Sequence, residues 1–169
     1  MAKDSFFLRA TVDGGNTASF FQKPIDLGAY VDALNKTVLR IHNVQVTYSD
    51  NTGRSSLINA QQTGVAQWQL TTQSQDDIVR DDDKSVISSG RVHMDNKSAV
   101  NGLADTVTDA NGINLQEWTN GYLVATESIY LGGSGSAGFV GDVYITIVME
   151  CTVETMSQSA AMALALSQQ

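Results

Sequence analysis

Gly141-Asp142-Val143-Tyr144-Ile145-Thr146-Ile147-Val148-Met149-Glu150-Cys151-Thr152-Val153-Glu154 alternates with a period of two along its whole length. Val143, Ile145, Ile147, Met149, Cys151 and Val153 fall on one face; Tyr144, Thr146, Val148, Glu150, Thr152 and Glu154 fall on the other. Successive side chains of a strand point to opposite faces, so the pattern predicts a strand with one apolar and one mixed face. A strand of that kind belongs to an antiparallel sheet packed on one side only.

The same reading extends outward. Over 121–131, Leu123, Ala125, Ile129 and Leu131 stand opposite Tyr122, Val124, Thr126 and Tyr130, which predicts a second long strand. The glycine-rich run 132–138 between the two predicts a flexible hairpin connection. Over 65–72, Ala66, Trp68 and Leu70 alternate with Gln67, Gln69 and Thr71. The run 37–48 changes phase: Leu39 and Ile41 share one parity, Val44, Val46 and Tyr48 the other. A one-residue slip at His42-Asn43 predicts a β-bulge. Weaker patterns predict strands over 5–12, 18–22 and 86–94, with a further short one near 100–107. Segments 27–34 and 113–118 each predict a turn or two of helix. The segment 157–167 has good helix formers but is too short to hold a helix alone.

These elements predict an all-β chain. It is an antiparallel β-sandwich of about eight strands, of jelly-roll type, with short helical segments. The sandwich is assigned to 1–156 and an apolar C-terminal tail to 157–169. The predicted core joins the apolar face of 141–154 to Leu39, Ile41, Val44, Val46, Trp68 and Leu70.

At 169 residues, with 42% apolar and 17% charged residues, the chain suits one folded domain. Its charge is unevenly laid out. Residues 1–97 hold all ten Lys and Arg against eleven acids; residues 98–169 hold seven acids and no base. A net charge of −8 repels phosphate backbones, so direct nucleic-acid binding is excluded first. One cysteine rules out an intrachain disulfide. Met1-Ala2-Lys3-Asp4-Ser5-Phe6 lacks the apolar core of a secretory signal, so the expectation is a protein that folds in the cytoplasm or leaves the cell by a route needing no cleaved signal, such as lysis. No run approaches the ~20 apolar residues of a transmembrane segment.

Chemistry-bearing motifs are few. Asp76, Asp77, Asp81, Asp82 and Asp83 crowd one short stretch, a composition calcium favours, but without the D-x-[DN]-x-[DN]-G spacing; they are read as a solvated loop. Thr108-Asp109-Ala110-Asn111-Gly112 begins like a calcium loop, with its glycine two residues early. The run 132–138 lacks the Gly-Lys-Ser/Thr ending of a phosphate loop and precedes a strand. Its segment Ser134-Gly135-Ser136-Ala137-Gly138 misses G-x-S-x-G at the first residue. His42 and His93 have no partners at triad or zinc spacing, and His42 is read as a hydrogen-bonding group at the bulge. Cys151 lies on an apolar face, as an unreactive thiol does. Trp68 is read as core and Trp118 as the more exposed candidate for stacking on a sugar. Asn35-Lys36-Thr37 and Asn96-Lys97-Ser98 match a glycosylation sequon that carries little weight without a secretory signal. No catalytic residue, metal site or cofactor is assigned.

The tail is different. Ala160-Ala161-Met162-Ala163-Leu164-Ala165-Leu166 is small or apolar throughout, whereas free termini are normally polar and frayed. It is expected to pack against protein, on its own domain or on a neighbour. Met156, Met162, Leu164 and Leu166 are its anchors.

An opening strand at 5–12 leads to the bulged strand Thr37-Val38-Leu39-Arg40-Ile41-His42-Asn43-Val44-Gln45-Val46. The chain closes with Tyr122-Leu123-Val124-Ala125-Thr126-Glu127-Ser128-Ile129-Tyr130-Leu131, a glycine run, and Val143-Tyr144-Ile145-Thr146-Ile147-Val148-Met149-Glu150-Cys151. This layout resembles the small single jelly-roll capsid proteins of viruses infecting bacteria or archaea. The resemblance implies a self-assembling, non-enzymatic coat subunit, located in the virion and assembled in the host cytoplasm. Its partners would be copies of itself, through the sandwich faces and the tail, and other shell proteins. The chain lacks the Arg/Lys-rich arm of capsids that package nucleic acid directly. A capsid built from it would therefore enclose a membrane vesicle or leave genome contact to another protein. The alternative is a carbohydrate- or receptor-binding sandwich, such as a virion spike or a lectin-like module. For an enzyme, no residue set can be named.

Overall fold

The computed structural model describes residues 4–102, 115–169 and the backbone of 105–108. The motif at 109–112 and residues 113–114 lie outside the described residues. Within them the chain forms nine strands: β1 (Phe6–Asp13), β2 (Phe21–Asp26), β3 (Thr37–Ser49), β4 (Thr63–Thr71), β5 (Val86–Asp95), β6 (Asp105–Thr108), β7 (Gln116–Val124), β8 (Ser128–Gly135) and β9 (Tyr144–Thr155). A helix, α1 (Gln158–Ser167), follows.

The strands form two sheets, ordered β1-β9-β3-β7 and β2-β8-β4-β5-β6. Their pairings are nested: β1 with β9, β2 with β8, β3 with β7, and β4 with β5, all antiparallel. The chain is thus one long antiparallel ribbon folded at the β4–β5 turn. It is rolled so that β9 also meets β3 and β8 also meets β4. That winding is the jelly roll. The short β6 adds to the free side of β5; the other eight strands make two four-stranded sheets facing each other.

The strand read first packs as its pattern predicts. Val143, Ile145, Ile147, Met149 and Cys151 are fully buried, with Leu39, Ile41, Val44 and Leu70; Trp68 keeps 1% of its surface, and Val153 is half-buried. The bulge lies where the phase change puts it: the register of β3 against both β7 and β9 slips between Ile41 and Asn43. His42 and Asn43 are consequently both only half-buried, whereas Ile41 and Val44 on either side are core residues. Burial pushes the Cys151 thiol pKa up to about 12, with a smaller push from Glu150, so the free thiol stays protonated.

Three expectations are corrected. The segment 121–131 is not one strand. It turns at 125–127, sending β7 into the first sheet and β8 into the second. Consecutive buried residues, Val124 and Ala125, mark the corner. The glycine run is not a flexible hairpin loop. Gly132 to Gly135 belong to β8, and β8 and β9 lie in opposite sheets. Glycine is needed for close approach: a Cβ on Gly133 would sit 2.8 Å from Ile145 Cδ1, and one on Gly132 would run into the Phe20 ring. The segment 113–118 is strand from Gln116 onward, because Gln116 and Glu117 pair with Val44 and Asn43.

The weaker elements also shift. The predicted 18–22 strand starts at Phe21 and runs to Asp26, and its Pro24 is tolerated because β2 is an edge. Segment 27–34 keeps a single helical turn, closed by Val31 N–H to the Leu27 carbonyl at 2.9 Å.

Candidate assembly surfaces

The tail becomes α1. The Ser157 hydroxyl accepts from Ala160 N–H at 3.3 Å, capping the first turn. Too short to stand alone, the helix is held by what lies beneath it. Ala161 is fully buried on Val38 and Ala125, with Leu123, Met156, Leu164 and Ala165 around them. Gln168 then latches the end. Its side chain accepts from Ala125 N–H at 2.9 Å and donates to the Leu123 carbonyl at 2.7 Å, while its own carbonyl accepts from the Thr72 hydroxyl at 2.8 Å. Of the four tail anchors named from sequence, Met156 and Leu164 therefore pack toward this chain's own sandwich. Met162 (42% exposed) and Leu166 (69%) face outward.

Gln168→Ala would leave the Ala125 N–H and the Leu123 carbonyl without these partners. We expect a loss of about 1–3 kcal/mol and faster hydrogen exchange at Ala125. Unchanged protection of that amide would mean the latch does not hold the helix.

A second surface forms at the opposite end. The β3–β4 loop (50–62), the segment after β5 (96–102) and the β8–β9 loop (136–143) are zipped by backbone bonds. Val140 N–H donates to Leu57 O at 2.9 Å, Gly102 N–H to Ile58 O at 3.0 Å, and Asn59 N–H to Gly138 O at 2.9 Å. Asn96, 3% exposed, donates to the carbonyls of Ile58 and Val100 at 3.1 and 2.8 Å, which makes it a structural clamp and not an accessible sequon. Ile58 and Phe139 plug the core beneath, whereas their neighbours Leu57 (50% exposed) and Val140 (47%), with Val100 (63%), stand outside. Three apolar side chains are thus displayed on fixed backbone. Sequence reading missed them, because Leu57 beside Ile58 and Val140 beside Phe139 look alike until pairing decides which turns in.

The broad outer face of the first sheet is largely neutral or internally paired. The Thr11 and Thr146 hydroxyls bond at 2.8 Å, and Asn43 donates to Glu150 at 2.8 Å. Arg40 pairs with Glu154 at 2.7 Å and also donates to the Asn120 carbonyl. His42 bonds Thr152 Oγ1 at 3.0 Å, the bulge role expected of it. Trp118 is half-buried, packing on the core's edge beside Tyr122 with ring centroids 5.9 Å apart.

The aspartates of 76–83 do not converge. Asp77 accepts from its neighbour Ile78 N–H, Asp81 from the Ser89 hydroxyl, and Arg80 meets Asp82 at 3.2 Å in solvent. Asp83 caps Ser85, whose hydroxyl and N–H hold its carboxyl below the usual range. Among the described residues no three His, Cys, Asp or Glu side chains gather as metal ligands would.

No family model and no curated protein matches the chain. Among solved structures it is similar to VP1 of Trichodysplasia spinulosa-associated polyomavirus in complex with GM1 oligosaccharide, at 8% identity and TM-score 0.46, covering 90% of this chain and 96% of that one. It is similar to the unassembled pentamer of Merkel cell polyomavirus VP1 at 4% identity and TM-score 0.38, covering 92% and 98%. It is also similar to Desmodium yellow mottle tymovirus at 10% identity and TM-score 0.33, covering 92% and 90%. The likeness to these viral jelly-roll proteins is one of layout, and the fold assignment rests on the strand pairing above.

Proposed function

We propose that this chain is a self-assembling structural subunit, a viral coat protein whose chief partner is another copy of itself. One observation carries the reading: exposed apolar side chains stand at both ends of the sandwich on backbone that hydrogen bonds already hold in place. Large apolar side chains fixed in solvent mark surfaces made to be covered. Because the backbone is ordered beforehand, covering them costs little conformational entropy. Met162 and Leu166 serve as outward contacts, while Met156 and Leu164 fix the helix that presents them. Among the described residues no helix is long and apolar enough to cross a membrane. In this reading the protein belongs to the virion, assembles in the host cytoplasm, and leaves the genome to other shell components, since its net charge of −8 offers few sites for counterion release.

Electron microscopy and light scattering of the purified protein test the proposal. Closed rings or shells are expected, without salt-sensitive sub-micromolar binding to DNA or RNA. A protein that stays monomeric at high micromolar concentration and captures glycans would instead be the lectin-like module.

A further inference from the structure

We infer that two copies of this chain join through β1, which pairs antiparallel with its own copy about a two-fold axis at Thr11; this rests on the self-assembly reading. The free sheet edges are β1 and β7 in one sheet, β2 and β6 in the other. Three of them are blunted, as natural edges commonly are. Pro24 interrupts β2, β6 has four residues, and β7 bulges where its pairing passes from Ile41–Tyr122 to Asn43–Glu117. The fourth, β1, is not. Its register runs unbroken from Phe6 opposite Cys151 to Asp13 opposite Tyr144, and it contains neither Pro nor Gly. Which groups it offers follows from its neighbours. Met156 N–H donates to Lys36 O at 2.8 Å, and Gly14 N–H to Val143 O at 2.8 Å. Even-numbered residues of β9 thus bond β3, and odd-numbered ones bond the even-numbered residues of β1. Phe7, Arg9, Thr11 and Asp13 therefore turn their N–H and C=O groups to the free side. Among the described residues no hydrogen bond reaches those groups.

Charge chooses the partner and the register. Two antiparallel copies of β1 centred on Thr11 set each Arg9 opposite the partner's Asp13, with about six main-chain hydrogen bonds over residues 9–13. Asp142 stands close behind Asp13, since both raise the Tyr144 phenol pKa, and it adds to the pull on the incoming guanidinium. Glu150, opposite Phe7 on β9, already accepts from Asn43. Centring the pair on Arg9 would instead set the two guanidiniums face to face. The charges that discourage casual pairing of β1 thus admit this one. Phe7, 53% exposed, comes level with the partner's Gly15, where the Phe21 ring, 44% exposed, already lies. One continuous sheet results, four strands from each copy, through an isologous contact.

Thr11→Cys tests the register, because residue 11 meets its own copy on the axis. Mild oxidation is expected to link Thr11→Cys chains into dimers and to leave Arg9→Cys chains unlinked, their two sulfurs being held about 13 Å apart along the strand. Cys151 is fully buried and does not compete. Thr11→Pro removes an N–H that the fold does not use, and is expected to weaken association about 30-fold or more, read by native mass spectrometry, with an unchanged circular dichroism spectrum. Arg9→Asp, on an exposed side chain, is expected to do the same, and adding Asp13→Arg to it to restore association; this pair carries the test should Thr11→Pro misfold. Arg9→Cys chains that link as readily as Thr11→Cys chains, or a folded Thr11→Pro or Arg9→Asp chain that associates like the parent, overturn the β1 pairing and leave self-assembly to other surfaces. A parent chain that never associates defeats the self-assembly reading itself.

Discussion

Gly135→Ala is expected to cost about 3 kcal/mol, although it adds a single methyl group. An added Cβ would overlap the Gly15 carbonyl oxygen and the Val143 side chain. The carbonyl is backbone and cannot swing aside. It belongs to a knot in which Gly14 N–H donates to Val143 O at 2.8 Å, Gly135 N–H to Gly14 O at 2.7 Å, and Val143 N–H to Gly15 O at 3.1 Å. The β1–β2 turn, the end of β8 and the start of β9 are tied together there, so relief for one breaks bonds in the others. Gly141→Ala is the control: a Cβ there meets nothing within 4 Å, and the change should stay within about 0.5 kcal/mol. Urea titration compares the two. A Gly135→Ala midpoint equal to that of Gly141→Ala would mean the knot is loose.

Trp68→Ala is expected to cost about 3–5 kcal/mol, among the largest losses a single side chain can cause here. The indole is 1% exposed, and its strand partners are Gly90 on β5 and Gly133 on β8. The two glycines leave room for one large ring, and neither has a side chain to refill the space. The ring's N–H and the Tyr48 hydroxyl are both buried and neither makes a hydrogen bond of normal geometry, though the N–H lies close enough to act on the hydroxyl. Burial raises the Tyr48 pKa well above that of a free phenol, and the nearby Trp68 N–H pulls it only part of the way back. Trp68→Phe keeps most of the packing and removes an unsatisfied donor, so its cost should remain under about 1.5 kcal/mol. Equal losses for the two substitutions would place the cost in the indole N–H and not in the cavity.

These two sites also mark where sequence reading works and where it stops. Trp68 was legible because its face is set by its own strand: Ala66 and Leu70 two residues away share its parity, and all three are buried. The slip at His42-Asn43 was legible for the same reason, since periodicity is local. Gly135 was not. Glycine signals either flexibility or close approach, and which one applies depends on the backbone of Gly15, which lies at the other end of the chain. The corner at 125–127 was hidden because it contains neither Gly nor Pro; its backbone is satisfied by Gln168 and by Leu27, whose N–H donates to Glu127 O at 2.8 Å. The surfaces were half legible. Composition singled out the tail, but only the helix face divides Met156 and Leu164 from Met162 and Leu166.

The nested order of the strands also governs how the chain is made. Phe6 finds its partner in Cys151, while the innermost pair, Thr71 with Val86, is separated by only the fourteen residues 72–85. Each pairing formed from the inside outward shortens the loop that the next must close, so the inexpensive sequence is a zipper from β4–β5 to β1–β9. Contacts this distant place the domain among slow folders, in milliseconds to seconds. Of these nine strands, the one synthesised first is therefore the last to be paired. At roughly 5–20 residues per second, β1 waits on the order of ten seconds for β9 to be synthesised. Through that interval Phe6, Phe7 and Leu8 are flanked by the charges of Lys3, Asp4, Arg9 and Asp13, which discourage pairing with other chains.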